Sequence, residues 1–113
     1  MIISIDIESF DRQLPFLISD SNSMQRGMVI DAPGGAKLHF KGTLVRKAVG
    51  IPEISQYILQ LAVDIDVGLF SAWLYDKLRS RSVERVLINR VEILEITENK
   101  IRRVISEQIE ERR

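Results

Sequence analysis

The sequence predicts an α+β domain in which a small antiparallel or mixed sheet of about four strands is packed by two helices. Three observations support this prediction: alternating apolar and polar residues near the N-terminus, a proline-glycine turn between two β-rich runs, and two later segments with a helical period. The 113 residues are enough for one hydrophobic core and too few for two. Residues 1–113 are therefore treated as one domain, with a strand and β-hairpin region over 1–48.

The first strand is predicted over about residues 2–8. Ile3, Ile5 and Ile7 alternate with polar residues there, which is typical of a strand with one buried face. The following stretch, 10–27, contains Pro15 and a later cluster of serine, asparagine and glycine. Because proline interrupts helices and such clusters favour loops, this stretch is predicted to be irregular.

A β-hairpin is predicted around residues 33–35, which read Pro-Gly-Gly. Proline sets φ at the first corner of the turn, and glycine accepts a positive φ at the second. In the strand after the turn, Leu38, Phe40 and Leu44 are predicted to share the core face. Gly42 indicates a bulge in that strand.

A long helix is predicted over about 52–79, beginning at Pro52, with a length of roughly 40 Å. Apolar residues recur there at helical spacing and cover most of the circumference, so the helix needs covering on more than one side. The main apolar stripe is Ile54, Ile58, Leu61, Ile65, Leu69 and Ala72.

Two carboxylates interrupt the apolar segment 61–74. Asp64 falls on the polar side of the predicted helix and is expected to be solvated. Asp66 is predicted to lie among apolar neighbours, where an unpaired carboxylate costs several kcal/mol. It then needs a partner in its own chain, a partner in a second chain, or a catalytic or metal-binding role. The alternation in residues 62–68 also fits a strand, but the helical pattern on both sides favours one helix. The two carboxylates argue against a transmembrane span.

The segment 83–96 is predicted to form a strand or a pair of strands. Its apolar residues change phase between Val86 with Ile88 and Val91 with Ile93. A slip of this kind indicates a bulge or a short break near residues 89–90.

The last element is predicted to be an amphipathic helix over 97–112. Thr97 is a suitable N-cap, and Ile96 and Ile101 occupy the positions of a hydrophobic staple. One apolar face is formed by Ile101, Val104, Ile105 and Ile109.

Composition restricts the classes of function. Sixteen basic residues balance sixteen acidic residues, so the whole chain exerts no net attraction for nucleic acid or anionic membrane. The chain has no cysteine and one histidine, so no metal or cofactor is predicted. The absence of cysteine and of a basic, apolar leader predicts a cytoplasmic protein.

The function predicted first is a non-catalytic interaction module, such as a small cytosolic subunit, inhibitor or immunity-like protein that binds another chain or a second copy. The surplus apolar surface of the long helix supports it, and Gly68 with Ala72 would let another backbone approach closely. The predicted interaction residues are Asp66, Gly68, Phe70, Ala72, Trp73 and Leu74.

Two alternatives remain open. The first is a nucleic-acid-binding accessory protein that uses the basic run at 77–90, namely Lys77, Arg79, Arg81, Arg85 and Arg90. The second is a small enzyme that uses Asp66, Asp31 or His39, although no hydrolase or metalloprotease motif accompanies these residues.

Overall fold

The computed structural model describes residues 2–21, 25–45, 50–62, 64–79 and 81–111. These residues form one antiparallel sheet of six strands, with three helices. In chain order the elements are β1 (Ile2–Ser9), α1 (Leu14–Ser19), β2 (Val29–Ala32), β3 (Ala36–Leu44), β4 (Glu53–Leu61), α2 (Val67–Leu78), β5 (Val83–Ile88), β6 (Val91–Glu92) and α3 (Glu98–Glu111). The predicted α+β class is confirmed, but the sheet has six strands rather than about four.

The strand order is β2-β3-β4-β1-β5-β6, so the N-terminal strand lies in the middle of the sheet. On β1, Ile3, Ile5 and Ile7 are fully buried, as the alternation predicts. Ile5 lies between Tyr57 of β4 and Ile88 of β5 in the register. This side of the sheet, which we call the covered face, packs against all three helices through Leu14, Ile18, Phe70, Leu74, Leu78, Ile101 and Ile105.

The alternate strand residues point to the other side, which we call the open face. No helix among the described residues lies over it, because all three helices contribute to the core on the covered face. The open face carries Ile2, Ser4 and Asp6 of β1, Val29 and Asp31 of β2, Lys37 and His39 of β3, Ile54, Gln56, Ile58 and Gln60 of β4, and Leu87 of β5.

The predicted helix over 52–79 is wrong in its first half. Glu53–Leu61 is strand β4, and only Val67–Leu78 is helical. Ser55, Tyr57 and Leu59 are buried on the covered face while the residues between them point to the open face. The segment forms a strand and not a helix because its backbone pairs with both β1 and β3, which places it inside the sheet.

The predicted β-hairpin and bulge are confirmed. β2 and β3 pair across the turn at 33–35, and Gly34 and Gly35 have φ of 85° and 80°. The β3–β4 register shifts between Phe40 and Gly42, which has φ of 126°. This bulge reverses the alternation beyond it, so Leu44 is exposed rather than on the core face with Phe40.

The phase change near 89–90 is a hairpin turn between β5 and β6. Asn89 and Arg90 have φ of 49° and 66°, the positive values that a two-residue type I′ turn requires. The Asn89 side chain holds the turn in place, because its Oδ1 accepts from the Ser4 N–H at 2.9 Å. Its Nδ2 donates to Gln108 of α3 at 2.8 Å. Strand structure in the predicted segment 83–96 therefore ends at Glu92.

Of the two remaining helices, α3 agrees with the prediction and α1 does not. Residues 10–27 are not wholly irregular, because Leu14–Ser19 forms α1 with Pro15 in its first turn, where the missing N–H costs nothing. The C-terminal helix is confirmed as Glu98–Glu111, and Thr97 Oγ1 accepts from the Lys100 N–H at 3.1 Å. The last predicted residue of that helix, Arg112, lies outside the described residues. None of the described helices is long and apolar enough to cross a membrane.

Candidate interaction surface

Asp66 is the N-cap of α2 and not a carboxylate buried in the middle of a helix. The side chain is exposed, and its Oδ1 accepts a hydrogen bond from the Leu69 N–H at 2.9 Å. The Asp66 backbone N–H donates to the Gly34 carbonyl at 2.9 Å, which joins the β2–β3 turn to the start of the helix. The predicted placement of Asp66 among apolar neighbours is therefore wrong.

The other predicted interaction residues divide by burial. Phe70 and Leu74 are 0% and 1% exposed and belong to the chain's own core. Gly68, Ala72 and Trp73 are partly exposed. Arg102 of α3 lies beside Gly68, so the element that approaches this glycine is the chain's own C-terminal helix. A role for these residues in binding a second chain stays a prediction.

The basic run at 77–90 is distributed over two elements and a turn. At the end of α2, Lys77 lies 6.0 Å from the Trp73 ring, and Arg79 pairs with Asp76 at 3.4 Å. Arg81 is exposed between α2 and β5.

Farther along, Arg85 on β5 is 2.7 Å from Glu92 and 3.8 Å from Glu8, and Arg90 lies in the β5–β6 turn. Because carboxylates neutralise part of this charge, the five residues do not form one continuous cationic surface.

The candidate catalytic residues are only partly brought together. Asp31 and His39 lie on neighbouring strands of the open face, while Asp66 caps α2. His39 Nε2 is 2.9 Å from Gln60 Oε1, so its ring is hydrogen-bonded to an amide rather than to a carboxylate. Over the described part of the chain, no group of three or more His, Cys, Asp or Glu side chains could hold a metal ion.

The open face exposes apolar side chains that the sequence analysis did not propose as a surface. Ile2 and Val29 are 55% and 49% exposed, while Ile54, Ile58 and Leu87 are partly buried by their neighbours in the sheet. Polar groups lie between them: Ser4 is opposite Ile58 in the β1–β4 register. The resulting surface mixes apolar and polar groups.

Asp6 is the carboxylate near the centre of this face. It lies between Gln56 of β4 and Leu87 of β5. Burial raises the pKa of Asp6 above its ordinary value, and the positive charge of Arg90 offsets part of that effect. The sheet environment therefore disfavours the charged form of Asp6.

A groove of about 710 Å³ crosses the β3–β4 side of the open face. Ile2 and Ile58 supply its apolar surface, His39 and Gln60 its hydrogen-bonding groups, and Arg26 and Lys41 its positive charges. We call it the β3–β4 groove. A neighbouring groove shares both cations but also contains Glu53, which pairs with Arg12 at 3.3 Å.

Arg26 is held at the β3–β4 groove by the bulge in β3. Its Nε donates to the Lys41 carbonyl at 3.1 Å. A Cβ placed at Gly42 would lie 3.3 Å from that Nε, so the missing side chain at position 42 gives Arg26 room to lie across the strand. The bulge thus positions both cations of the groove.

Comparison with known proteins adds no functional information, because no family model, curated protein or solved structure matches this chain.

Proposed function

We propose that the protein is a non-catalytic interaction module that binds another protein chain through the open face of its sheet. It would act as a small subunit, inhibitor or immunity-like protein. The observation that supports this proposal is the exposure of Ile2, which is diagonal to Ile58, and of Val29, on a sheet face that no described helix covers. Burial of such side chains by a partner is favourable by about 25 cal/mol per Å² of apolar area.

The composition of the open face supports a partner that binds and dissociates. Antiparallel sheets often have one solvated face, and such a face is usually polar. Here isoleucine and valine alternate with His39, Gln60 and Ser4, a mixture close to that of non-obligate interfaces, which are about as apolar as ordinary protein surface. A permanently covered face would be more apolar.

The size of the open face is also suitable. At a rise of about 3.3 Å per residue and a strand spacing of about 4.8 Å, the six strands give a face of roughly 600 Å². A standard protein interface buries about 800 Å² on each partner. One partner domain is therefore enough to cover it.

The test is affinity capture of the tagged chain from its native lysate, with and without nuclease, comparing wild type with Ile58→Glu. Position 58 lies in the middle of the open face. A buried negative charge there should prevent an apolar contact, so the stoichiometric partner should no longer be captured. The matched control is Leu69→Glu, because Leu69 is 52% exposed on α2, in the helical layer. Circular dichroism of both variants checks that they are folded.

Three results contradict the proposal. Loss of the captured protein with Leu69→Glu but not with Ile58→Glu would place the interface on the helical layer, near the residues proposed from sequence. Recovery that disappears with nuclease would favour nucleic acid and the basic run at 77–90. If the wild-type chain captures no protein, the proposal that it binds a different protein chain is refuted.

A further inference from the structure

We infer that the β3–β4 groove binds an acidic segment of the partner protein that also carries an apolar side chain. This inference rests on the proposed function and names the chemistry of the partner. The charge of the groove, the way its cations are held and its apolar surface support it.

The groove is locally cationic in a chain whose net charge is zero. Arg26 and Lys41 line it, and none of its described lining residues is acidic. Neither cation forms an ion pair with a described carboxylate. The two aspartates of the open face that lie nearest in the register, Asp31 of β2 and Asp6 of β1, are both outside the lining. Two cations that have no carboxylate partner among the described residues attract an acidic ligand and repel a basic one.

The guanidinium of Arg26 is partly ordered before any ligand binds. Its Nε already donates a hydrogen bond to the Lys41 carbonyl. The aliphatic part of its side chain passes over Gly42, where Cγ is 3.5 Å from the position that a Cβ would take. The two terminal amino groups of a guanidinium supply the paired donors that a carboxylate accepts. Because the side chain is already held, less rotamer entropy is lost on binding.

The apolar surface beside these cations selects for more than charge. Ile2 and Ile58 lie diagonally on neighbouring strands, since Ile2 is opposite Gln60 and Ser4 is opposite Ile58. Such a diagonal spans about 7–8 Å, close to the spacing of same-side residues in an extended peptide. Residues two apart in an extended segment lie on the same side. A segment in which one polar residue separates each acidic residue from the next aliphatic one can therefore present both kinds of side chain to the groove.

A nucleic acid strand fits the groove less well. Binding of single strands combines positive charge with exposed aromatic rings on which bases stack. Of the two aromatic rings among the described lining residues, Phe40 is 5% exposed and His39 is hydrogen-bonded to Gln60. The apolar groups that the groove offers are aliphatic.

The experiment is fluorescence anisotropy of the full chain with four labelled probes: the hexapeptides Glu-Ser-Ile-Ser-Glu-Ser, Lys-Ser-Ile-Ser-Lys-Ser and Glu-Ser-Ser-Ser-Glu-Ser, and an eight-nucleotide oligothymidylate. We expect the acidic, aliphatic peptide to bind most tightly and to weaken as salt is raised from about 50 to about 300 mM. The variant Arg26→Glu/Lys41→Glu should weaken it by about tenfold or more. The control Lys100→Glu, on the exposed side of α3, should leave the affinity unchanged.

Equal affinity for the acidic and basic hexapeptides would overturn the inference. So would unchanged binding in a folded Arg26→Glu/Lys41→Glu variant, or binding of the oligothymidylate alone. If Ile58→Glu abolishes protein capture but the wild-type chain binds no acidic peptide, the open face is still supported as a protein interface, and the inference of an acidic partner is refuted. If the acidic peptide binds but Ile58→Glu captures as much protein as wild type, the groove binds acidic segments and the interface with the captured protein lies elsewhere.

Discussion

The two faces of strand β4 contain similar side chains in different surroundings. Tyr57 and Leu59 are at most 1% exposed on the covered face, where the helices pack on them. Ile58, between them in sequence, is only partly buried on the open face, beside His39 and Ser4. The difference shows that an aliphatic residue on this sheet is not automatically a core residue. What covers its face determines whether it stabilises the fold or is available to a partner.

The largest expected effect comes from the same truncation on the two faces. Leu59→Ala should lower the free energy of unfolding by about 2–5 kcal/mol, since it leaves a cavity in the core. Ile58→Ala should cost about 1 kcal/mol or less, because solvent already reaches that side chain. Urea denaturation measures both. Equal costs would mean that the open face is buried in the folded protein.

A second prediction concerns the turn that joins the sheet to the helical layer. A Cβ at Gly34 would lie 2.5 Å from the Asp66 carbonyl oxygen, and φ is 85°. Gly34→Ala should therefore cost about 2–3 kcal/mol by thermal denaturation. Gly35→Ala is the control, because its φ is 80° but its Cβ would meet Ala62 at an ordinary 3.6 Å. A similar loss in both variants would attribute the effect to φ alone and not to contact with the helical layer.

A smaller loss is expected at the N-cap of α2. Asp66→Ala removes the acceptor of the Leu69 N–H and should cost about 1 kcal/mol of unfolding free energy. Asp64→Ala, at an exposed residue just before the helix, should change stability little. Chemical denaturation of the two variants compares them directly. An unchanged midpoint for Asp66→Ala would refute the capping role.

The smallest effect is pH-dependent and belongs to the open face. Because the pKa of Asp6 is raised, the folded state holds its proton more tightly than the unfolded state, and stability falls as pH rises through the acid range. Asp6→Asn should therefore stabilise the protein slightly at neutral pH. The gain should vanish below the ordinary pKa of 3.8, where Asp6 is protonated in both states.

Thermal melts over a pH series measure this effect, with Asp31→Asn on the exposed edge strand as the comparison. A gain for Asp6→Asn that persists in acid would show that charge is not its cause.

Several elements were predictable from local pattern. The alternation of Ile3, Ile5 and Ile7 was sufficient for β1, and the proline-glycine turn was sufficient for the β2–β3 hairpin. The N-cap residue Thr97 and the apolar face that follows it were sufficient to predict α3. In each case one period fits the segment and a turn or cap marks its boundary.

Strand β4 and the candidate site were not predictable in this way. Ile54 and Ile58 are four residues apart, and a spacing of four satisfies both the helical repeat and the alternation of a strand. Assigning them to a helix hid the open face, which also depends on Ile2 and Val29 from distant parts of the chain. The same error made Asp66 a buried carboxylate, although an aspartate before an apolar run is also a signal for an N-cap.

Local patterns along the chain were enough to predict the α+β class, the N-terminal strand, the first hairpin and the last helix, because each is marked by a clear apolar period, turn or cap. The tertiary structure was needed to establish which half of the segment 52–79 is a strand and which sheet face the helices cover. It also brought Arg26, Lys41 and Ile2 to one groove. These outcomes depend on pairing between strands far apart in sequence, and local periodicity carries no information about which distant strand will be the neighbour.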